Sequence, residues 1–232
     1  AASLARAQAA GLSPCADLAR CLAGADGVVS VVPPETAEVV ARAVVAQGFR
    51  GAYFDLNAIA PVTAARIAGY LPPGAYGDGG IVGLPPEGPA GATLLLTAPA
   101  AALLAAWGPR FSVQCLAPEA GPFAASALKC AFAAWSKGSS ALLLSVEAFA
   151  REQGLLNELH ALWDERSPGL RARAEATGKA VAPKAWRFEG EMEEIAAAFR
   201  AADLSSGAFE AAAALYRKLA EERRPPEAAQ TP

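Results

Sequence analysis

The chain has 232 residues, of which 53% are hydrophobic, and its formal net charge is -3 at pH 7. This length and hydrophobic content are sufficient to bury a substantial core, which predicts a globular protein of one large or two small domains. The weak negative charge provides no basic field for nucleic acid, and no apolar run reaches the roughly 18 residues of a membrane span. We therefore expect neither nucleic acid nor a membrane as a partner.

Cysteine and histidine usage also limits the chemistry. The four cysteines, Cys15, Cys21, Cys115 and Cys130, show no short CxxC spacing, and His160 is the only histidine. No protein metal site and no Cys/His or Ser/His catalytic pair is expected from such a set. Four cysteines without a recognisable disulfide or metal-binding pattern are typical of proteins in a reducing compartment, so the sequence indicates a cytoplasmic protein.

The first half alternates between helical and strand patterns. Helices are predicted at residues 3–10, 14–22, 34–47, 61–70 and 99–107, and strands at 27–32, 52–56, 76–82, 92–97 and 111–116. Strands that alternate with helices through short connections favour a mostly parallel sheet covered on both faces. Residues 1–118 are therefore predicted to form an α/β domain.

Strand signals cease after Pro118. Helices are predicted at residues 120–151, 155–166, 169–177, 182–202 and 207–222, followed by a loose tail at 223–232. Residues 119–222 are accordingly predicted to form a separate all-helical domain.

Lys129 is the most informative single residue. It interrupts an almost wholly apolar helical stretch, where an unpaired ammonium would be costly to bury. In a helix, Lys129 shares one stripe with residues that follow each other at intervals of three or four. These residues are all small: Ser126, Ala133, Ser136 and Ser140. A small polar molecule could reach the amine along such a groove, which makes Lys129 a candidate acid/base group. The alternative is a lysine whose stem packs while its amine reaches water.

Four segments in order carry a resemblance to a known family. They are SVVPP at residues 30–34, DLNAIAP at 55–61, DGGIVGLPP at 78–86 and GPFAASALKCAFAAWSKG at 121–138. This series resembles the β-hydroxyacid dehydrogenase family, which includes 3-hydroxyisobutyrate and 6-phosphogluconate dehydrogenases. The lysine motif and AWRFEGEMEEIA, at 185–196, look most like a subgroup whose C-terminal helical domain is poorly characterised functionally.

The resemblance implies a Rossmann-type domain that binds NAD or NADP, a long connecting helix, and an all-helical second domain, with a small hydroxy acid between them. It also implies a homodimer. Carried over by position, Lys129 is the catalytic acid/base that handles the proton of the substrate hydroxyl. Val31, Val32 and Pro33 line the cofactor, and Asn57 sits near the nicotinamide.

The substrate carboxylate is expected at a glycine-containing turn formed by Ile81, Val82, Gly83 and Leu84, where backbone N–H groups are accessible. Many relatives have Ser-Gly-Gly where this chain has Val82, Gly83 and Leu84, and asparagine where it has Ala133. Both differences remove hydrogen bonds to substrate, which leaves the identity of the hydroxy acid open.

Each motif also has a purely structural interpretation. Pro33 and Pro34 can simply start a helix, Asn57 can cap a turn or helix, and glycines can relieve crowding in a strand and turn. Trp135 and Lys137 belong to the lysine motif, and the default expectation for them is a packed aromatic ring and a surface charge.

The family begins with a strand, a glycine-rich phosphate loop, a helix and a second strand, and these do not precede Ala1. The sequence is therefore expected to be a truncated Rossmann-type domain followed by the helical domain. Three functions follow: an NAD(P)-dependent hydroxyacid dehydrogenase, a non-catalytic remnant that binds ligand or dimerises, or an oxidative decarboxylase of a sugar acid.

Overall fold

The computed structural model describes residues 2–15, 17–83, 91–97, 100 and 112–223. The chain divides into two compact units. Unit 1 comprises Ala1–Val32, Thr36–Asn57 and Ala64–Phe123, and unit 2 comprises Pro33–Glu35, Ala58–Thr63 and Ala124–Pro232.

Unit 1 is built on a five-stranded sheet. Its described elements in chain order are α1 (Ala2–Ala9), α2 (Leu18–Leu22), β1 (Gly27–Ser30), α3 (Pro34–Ala46), β2 (Ala52–Asp55), α4 (Pro61–Ala68), β3 (Tyr76–Val82), β4 (Thr93–Thr97) and β5 (Ser112–Leu116). The first residues of α3 and α4 belong to unit 2. The strand order is β1-β2-β3-β4-β5, and only the β3–β4 pair is antiparallel. The predicted α/β class with a mostly parallel sheet is confirmed.

A polar row crosses the buried middle of this sheet. Ser30 is in register with Asp55, and Asp55 with Asp78, on three neighbouring parallel strands. All three residues are at most 3% exposed, and the hydroxyl of Thr97 donates to the backbone oxygen of Asp78 at 3.2 Å. Because buried polar groups require partners, this row fixes the relative register of its strands.

Unit 2 contains five of the described α-helices, α5 (Ala124–Glu152), α6 (Leu156–Arg166), α7 (Leu170–Val181), α8 (Ala185–Ala201) and α9 (Gly207–Glu221). The predicted all-helical C-terminal part is thus confirmed for the described residues. Its core is formed mainly by α5, α8 and α9, with Phe188, Met192, Ile195 and Tyr216 as its largest buried members. The Phe188 and Tyr216 rings meet edge to face at 5.3 Å.

Three predicted helix boundaries are wrong by four residues each. The long helix predicted from residue 120 begins at Ala124, after a short 3-10 helix at Pro118–Ala120. The second helix begins at Leu18, because the Asp17 carboxylate caps it by accepting a 2.8 Å hydrogen bond from the backbone N–H of Arg20. The helix predicted at 169–177 continues through Gly178 to Val181, because Val181 is buried in the unit 2 core and its packing outweighs the low helix propensity of glycine. The predicted helix at 99–107 and the tail at 224–232 lie outside the described residues, except for Ala100.

None of the helices in the described ranges combines the length and the hydropathy that a membrane crossing requires.

Candidate functional site

Asn57 ties together the ends of the first two strands in unit 1. Its side-chain oxygen accepts a 2.6 Å hydrogen bond from the backbone N–H of Val32, and its Nδ2 donates to the Ser30 hydroxyl at 2.9 Å. Its own backbone N–H donates to Asp55 Oδ1 at 3.0 Å. Asn57 is 3% exposed, so its amide is a fixed part of this strand edge.

The segment that Asn57 holds offers apolar side chains. Val31 is 59% exposed, whereas Val32 and Pro33 are half-buried. Pro34 is buried and is the first residue of α3, the position at which its fixed φ and missing N–H are tolerated. The structure therefore brings Val32 and Asn57 into contact, and it shows that Pro34 starts a helix.

The expected substrate turn is only partly a turn. Ile81 and Val82 are strand residues, in register with Leu94 and Thr93 on β4, and the Ile81 side chain packs against the hydrophobic core of unit 1. Both residues lie within the strand predicted at 76–82, and pairing with β4 continues to Val82, so the turn begins only at Gly83. Gly83 follows the strand with φ +109°, a conformation that favours glycine, and Leu84 lies outside the described residues.

Lys129 lies in the second turn of α5 and is half-buried. Together with Ala58, Cys130, Ala133, Glu191 and Ile195 it lines a small pocket in unit 2. Ala58 is the residue that follows Asn57 in the chain.

Burial lowers the pKa of the Lys129 ammonium below its ordinary value. The positive charges of Lys137 and Arg187 act in the same direction, and Glu191 and Cys130 oppose them. Because desolvation is the largest cause, the neutral amine is more accessible here than on a surface lysine. At a given pH, a larger fraction of such an amine is neutral, and so able to act as a proton acceptor, than of an ordinary lysine.

The small residues around Lys129 form the less exposed side of α5, as predicted. Ser126 and Ala133 are buried, and Ser136 and Ser140 are half-buried. The Ser140 hydroxyl donates to the Ser136 carbonyl at 2.8 Å, and the Ser136 hydroxyl donates to the Ala133 carbonyl at 3.5 Å. These two hydroxyls are therefore occupied by the helix backbone.

The default expectations for Lys137 and Trp135 are both wrong. Lys137 is an ion-paired residue with a side chain only 17% exposed, and its Nζ lies 2.8 Å from Glu191 Oε2. The ammonium also lies 5.1 Å from the centre of the Phe188 ring. Trp135 is 72% exposed instead of packed.

Other large apolar residues share that exposure along α5. They are Leu128, Phe132, Leu142, Val146 and Phe149, and together with Trp135 we call them the α5 apolar face. Their spacing alternates between three and four residues apart from one interruption at Ser139, which places them on one stripe of the helix.

Two glutamates of α8 have structural roles that the sequence did not reveal. Glu191 pairs with Lys137, and Glu194 Oε2 accepts hydrogen bonds from the Ala60 backbone N–H at 2.6 Å and the Thr63 hydroxyl at 2.7 Å. Their position in the sequence could have indicated burial, because both lie within one turn of Ile195, on the side of α8 that faces the core.

His160 also has a partner, since its Nε2 lies 2.7 Å from Glu147 Oε1 and both side chains are largely buried. Among the described residues, no cluster of three or more His, Cys, Asp or Glu side chains could hold a metal ion.

Residues 150–219 match a family model described as a domain of unknown function, DUF1932. The matched region is therefore similar to that domain. It contains α6 to α8 and most of α9, so the resemblance of residues 185–196 to a subgroup with a poorly characterised helical domain is confirmed.

Two solved structures share this fold over nearly the full length of the chain. A conserved hypothetical protein from Sinorhizobium meliloti 1021 aligns with a TM-score of 0.64 and 23% identity, over 99% of this chain and 78% of that protein. A conserved protein of unknown function, described as structurally similar to 3-hydroxyacid dehydrogenases, aligns with a TM-score of 0.61 and 23% identity, over 96% and 84%. No curated protein matches the sequence. The predicted resemblance to hydroxyacid dehydrogenases is thus confirmed at the level of the fold.

Proposed function

We propose that this protein is an NAD(P)-dependent oxidoreductase that interconverts a small hydroxy acid and its keto acid. The fold it shares with a structure similar to 3-hydroxyacid dehydrogenases supports the general class. The observation that carries the proposal is Lys129, a half-buried amine whose burial lowers its pKa on the wall of a small pocket. Few structural roles favour a lysine whose charged form is disfavoured.

Lys129 is proposed as the general acid/base. In the oxidative direction its neutral amine accepts the proton of the substrate hydroxyl while the carbon–oxygen bond becomes a carbonyl. In the reductive direction its ammonium returns that proton to the developing alkoxide. A bound NAD or NADP supplies the hydride transfer.

The segment that follows β1, Val31, Val32 and Pro33, is proposed to line the cofactor. Its residues fit that role because Val31 is exposed and apolar, and a flat aromatic ring packs well on such a surface. Asn57 contributes mainly by fixing Val32, since its side-chain oxygen is already engaged.

The end of β3 is proposed to face the substrate. The relevant residues are Ile81, Val82, Gly83 and Leu84. Gly83 takes a positive φ that favours glycine and lies close to the Ala92 backbone, and the side chain of Ile81 is occupied in packing, so a ligand would contact mainly the backbone of this segment.

We further propose that the protein is a homodimer that buries the α5 apolar face. This face runs along most of a 29-residue helix, and its alternating spacing suits packing against another helix. A second copy supplies an identical face, which makes an isologous contact self-complementary.

The activity is tested with Lys129→Met and Lys129→Arg. We expect kcat/KM for a small hydroxy acid to fall by about 10²- to 10⁴-fold in both variants, because neither side chain can lose and regain a proton near neutral pH. Lys179→Met, which removes an exposed lysine of α7, is the matched control. Unchanged turnover in Lys129→Met would refute the assignment.

Cofactor binding is tested separately by titrating the wild-type protein with NADH and NADPH while following fluorescence. Saturable binding at micromolar concentration is expected for one of them. No binding up to millimolar concentration would instead indicate a non-catalytic remnant.

A further inference from the structure

The pocket that contains Lys129 has a second charged wall. Glu191 lines the same pocket from α8, and its side chain is only 12% exposed. A carboxylate this buried is costly without a cationic partner, and Lys137 provides one at 2.8 Å. The pocket is thus bordered by the Lys129 amine and by the Glu191 carboxylate, and that carboxylate is paired with the Lys137 ammonium.

The Lys137–Glu191 pair is itself rigidly held. The Lys137 ammonium lies over the Phe188 ring, and the Lys137 backbone carbonyl accepts a 2.6 Å hydrogen bond from the Tyr216 hydroxyl. Phe188 and Tyr216 are both buried in the unit 2 core. Contacts on the side chain and on the backbone therefore fix where the carboxylate of Glu191 stands.

We propose, building on the proposed function, that Glu191 and Lys137 are positioning residues for Lys129, and that their ion pair adjusts the balance between the neutral and charged forms of the amine that burial sets. Glu191 alone would hold a nearby amine in its charged form. Pairing with Lys137 offsets that effect, because the positive charge of Lys137 disfavours the charged form of the Lys129 amine. The pair thus keeps an anionic wall in place without locking Lys129 as a permanent cation.

Among the described residues, the main charged and titratable groups that act on Lys129 lie on two helices. Lys137 and Cys130 are on α5, and Glu191 and Arg187 are on α8. Lys137 and Arg187 favour the neutral amine, whereas Glu191 and Cys130 favour the charged form. Removing the two members of the ion pair one at a time should therefore move Lys129 in opposite directions.

The experiment uses NMR of the full chain after reductive methylation of lysines with ¹³C-formaldehyde. The chain has five lysines, at positions 129, 137, 179, 184 and 218, so the spectrum is simple and Lys129→Met assigns the signal of Lys129. This titration reads the pKa of the amine directly and needs neither cofactor nor turnover.

In Lys137→Met we expect the titration midpoint of Lys129 to rise by roughly one pH unit, and in Glu191→Gln to fall by a similar amount, as is typical for removal of one nearby charge. Lys137→Arg preserves the pair and should leave the midpoint unchanged, as should the exposed control Lys179→Met. The acid limb of the kcat/KM profile should move with the midpoint.

Shifts of Lys129 in the same direction in Lys137→Met and Glu191→Gln, or no shift in either, would overturn the proposal, because loosening of the pocket moves both variants alike. If Lys137→Met does not fold because it leaves Glu191 unpaired, Glu191→Gln and the double variant Lys137→Met/Glu191→Gln still decide the matter. In the double variant the titration midpoint of Lys129 should lie above that of Glu191→Gln, because the Lys137 charge is also removed. A midpoint at or below that of Glu191→Gln would overturn the proposal. Opposite shifts combined with normal turnover in Lys129→Met would support the positioning and refute only the catalytic role.

Discussion

The side-chain oxygen of Asn57 accepts a 2.6 Å hydrogen bond from the backbone N–H of Val32. These residues are 25 positions apart in sequence, and the bond joins the segments that follow β1 and β2. The backbone at the proposed cofactor edge is therefore held by a buried side chain instead of by sheet pairing, which ends at Ser30 and Asp55.

The first prediction concerns this bond. Asn57→Ala should lower the free energy of unfolding by about 1–3 kcal/mol, because it leaves the Val32 N–H and the Ser30 hydroxyl without their partner in a buried place. The affinity for NADH or NADPH should fall in the same variant. Denaturant unfolding and fluorescence titration measure the two effects. Asn157→Ala, at an exposed position of α6, serves as the control, and equal stability of the two variants would contradict the role of Asn57.

The second prediction is that Lys129→Met unfolds less readily than the wild type at pH 7. Burial lowers the pKa of Lys129 in the folded state, so between that pKa and the ordinary value of 10.5 the unfolded chain binds the proton more tightly. Wild-type stability should therefore rise with pH across this window, and the advantage of the variant should shrink.

Urea unfolding at pH 7 and above pH 10.5 checks this, since the difference between the two proteins should be largest at pH 7. Lys179→Met should show no such dependence. A variant that is less stable than the wild type at pH 7 would show that Lys129 is held by favourable contacts that outweigh its burial.

The third prediction concerns Glu38 on α3. The Tyr70 hydroxyl donates to its Oε1 at 2.6 Å, Arg42 donates to the same oxygen at 2.7 Å, and Arg66 approaches Oε2 at 3.3 Å. These hydrogen bonds, that of Tyr70 first, lower the pKa of Glu38 from 4.5 to about 2. The folded pKa is thus below the unfolded one, so the contribution is fully present above about pH 4.5 and is lost as the pH falls through 2.

Glu38→Gln should accordingly be less stable than the wild type at pH 7, by roughly 1 kcal/mol or less, because the network is partly exposed and water screens it. The two proteins should converge near pH 2. Glu158→Gln, on an exposed turn of α6, provides a matched control. A difference that persists unchanged at pH 2 would mean that the charge of Glu38 is not what stabilises α3 against α4.

The fourth prediction concerns the α5 apolar face. Trp135→Ser combined with Leu142→Ser should convert a dimer into a monomer, because it removes two of the most exposed apolar side chains from the proposed contact. Sedimentation velocity measures the change. Trp186→Ser removes a tryptophan that is 59% exposed on α8 and should leave the dimer intact. A wild-type protein that sediments as a monomer at high concentration would rule out the proposed interface.

Much of the fold was predictable from local patterns. The alternation of apolar strands and helices gave the elements of unit 1 to within a few residues, since burial on both faces of a parallel sheet requires continuous apolar runs. The boundaries differed where a side chain caps the first turn of a helix, as Asp17 does for α2. They also differed where core packing extends a helix past a glycine, as in α7 beyond Gly178. Such effects depend on contacts that a periodicity does not contain.

The candidate site, like the fold, could be predicted from the sequence only in part. Lys129 was evident from the sequence alone, because a single charge in an apolar helix is conspicuous. Lys137 and Glu191 were not, because each is an ordinary residue on an amphipathic helix until the two are seen to pair across α5 and α8.

The sequence by itself therefore determined the fold class, the helical C-terminal region and the lysine, which all follow from the order and polarity of neighbouring residues. Only the tertiary structure decided which carboxylate pairs with which amine, which oxygen holds Val32, and which face of α5 is exposed. Burial and charge pairing are properties of surfaces brought together from distant parts of the chain, and the free energy of a buried charge is set by those surfaces.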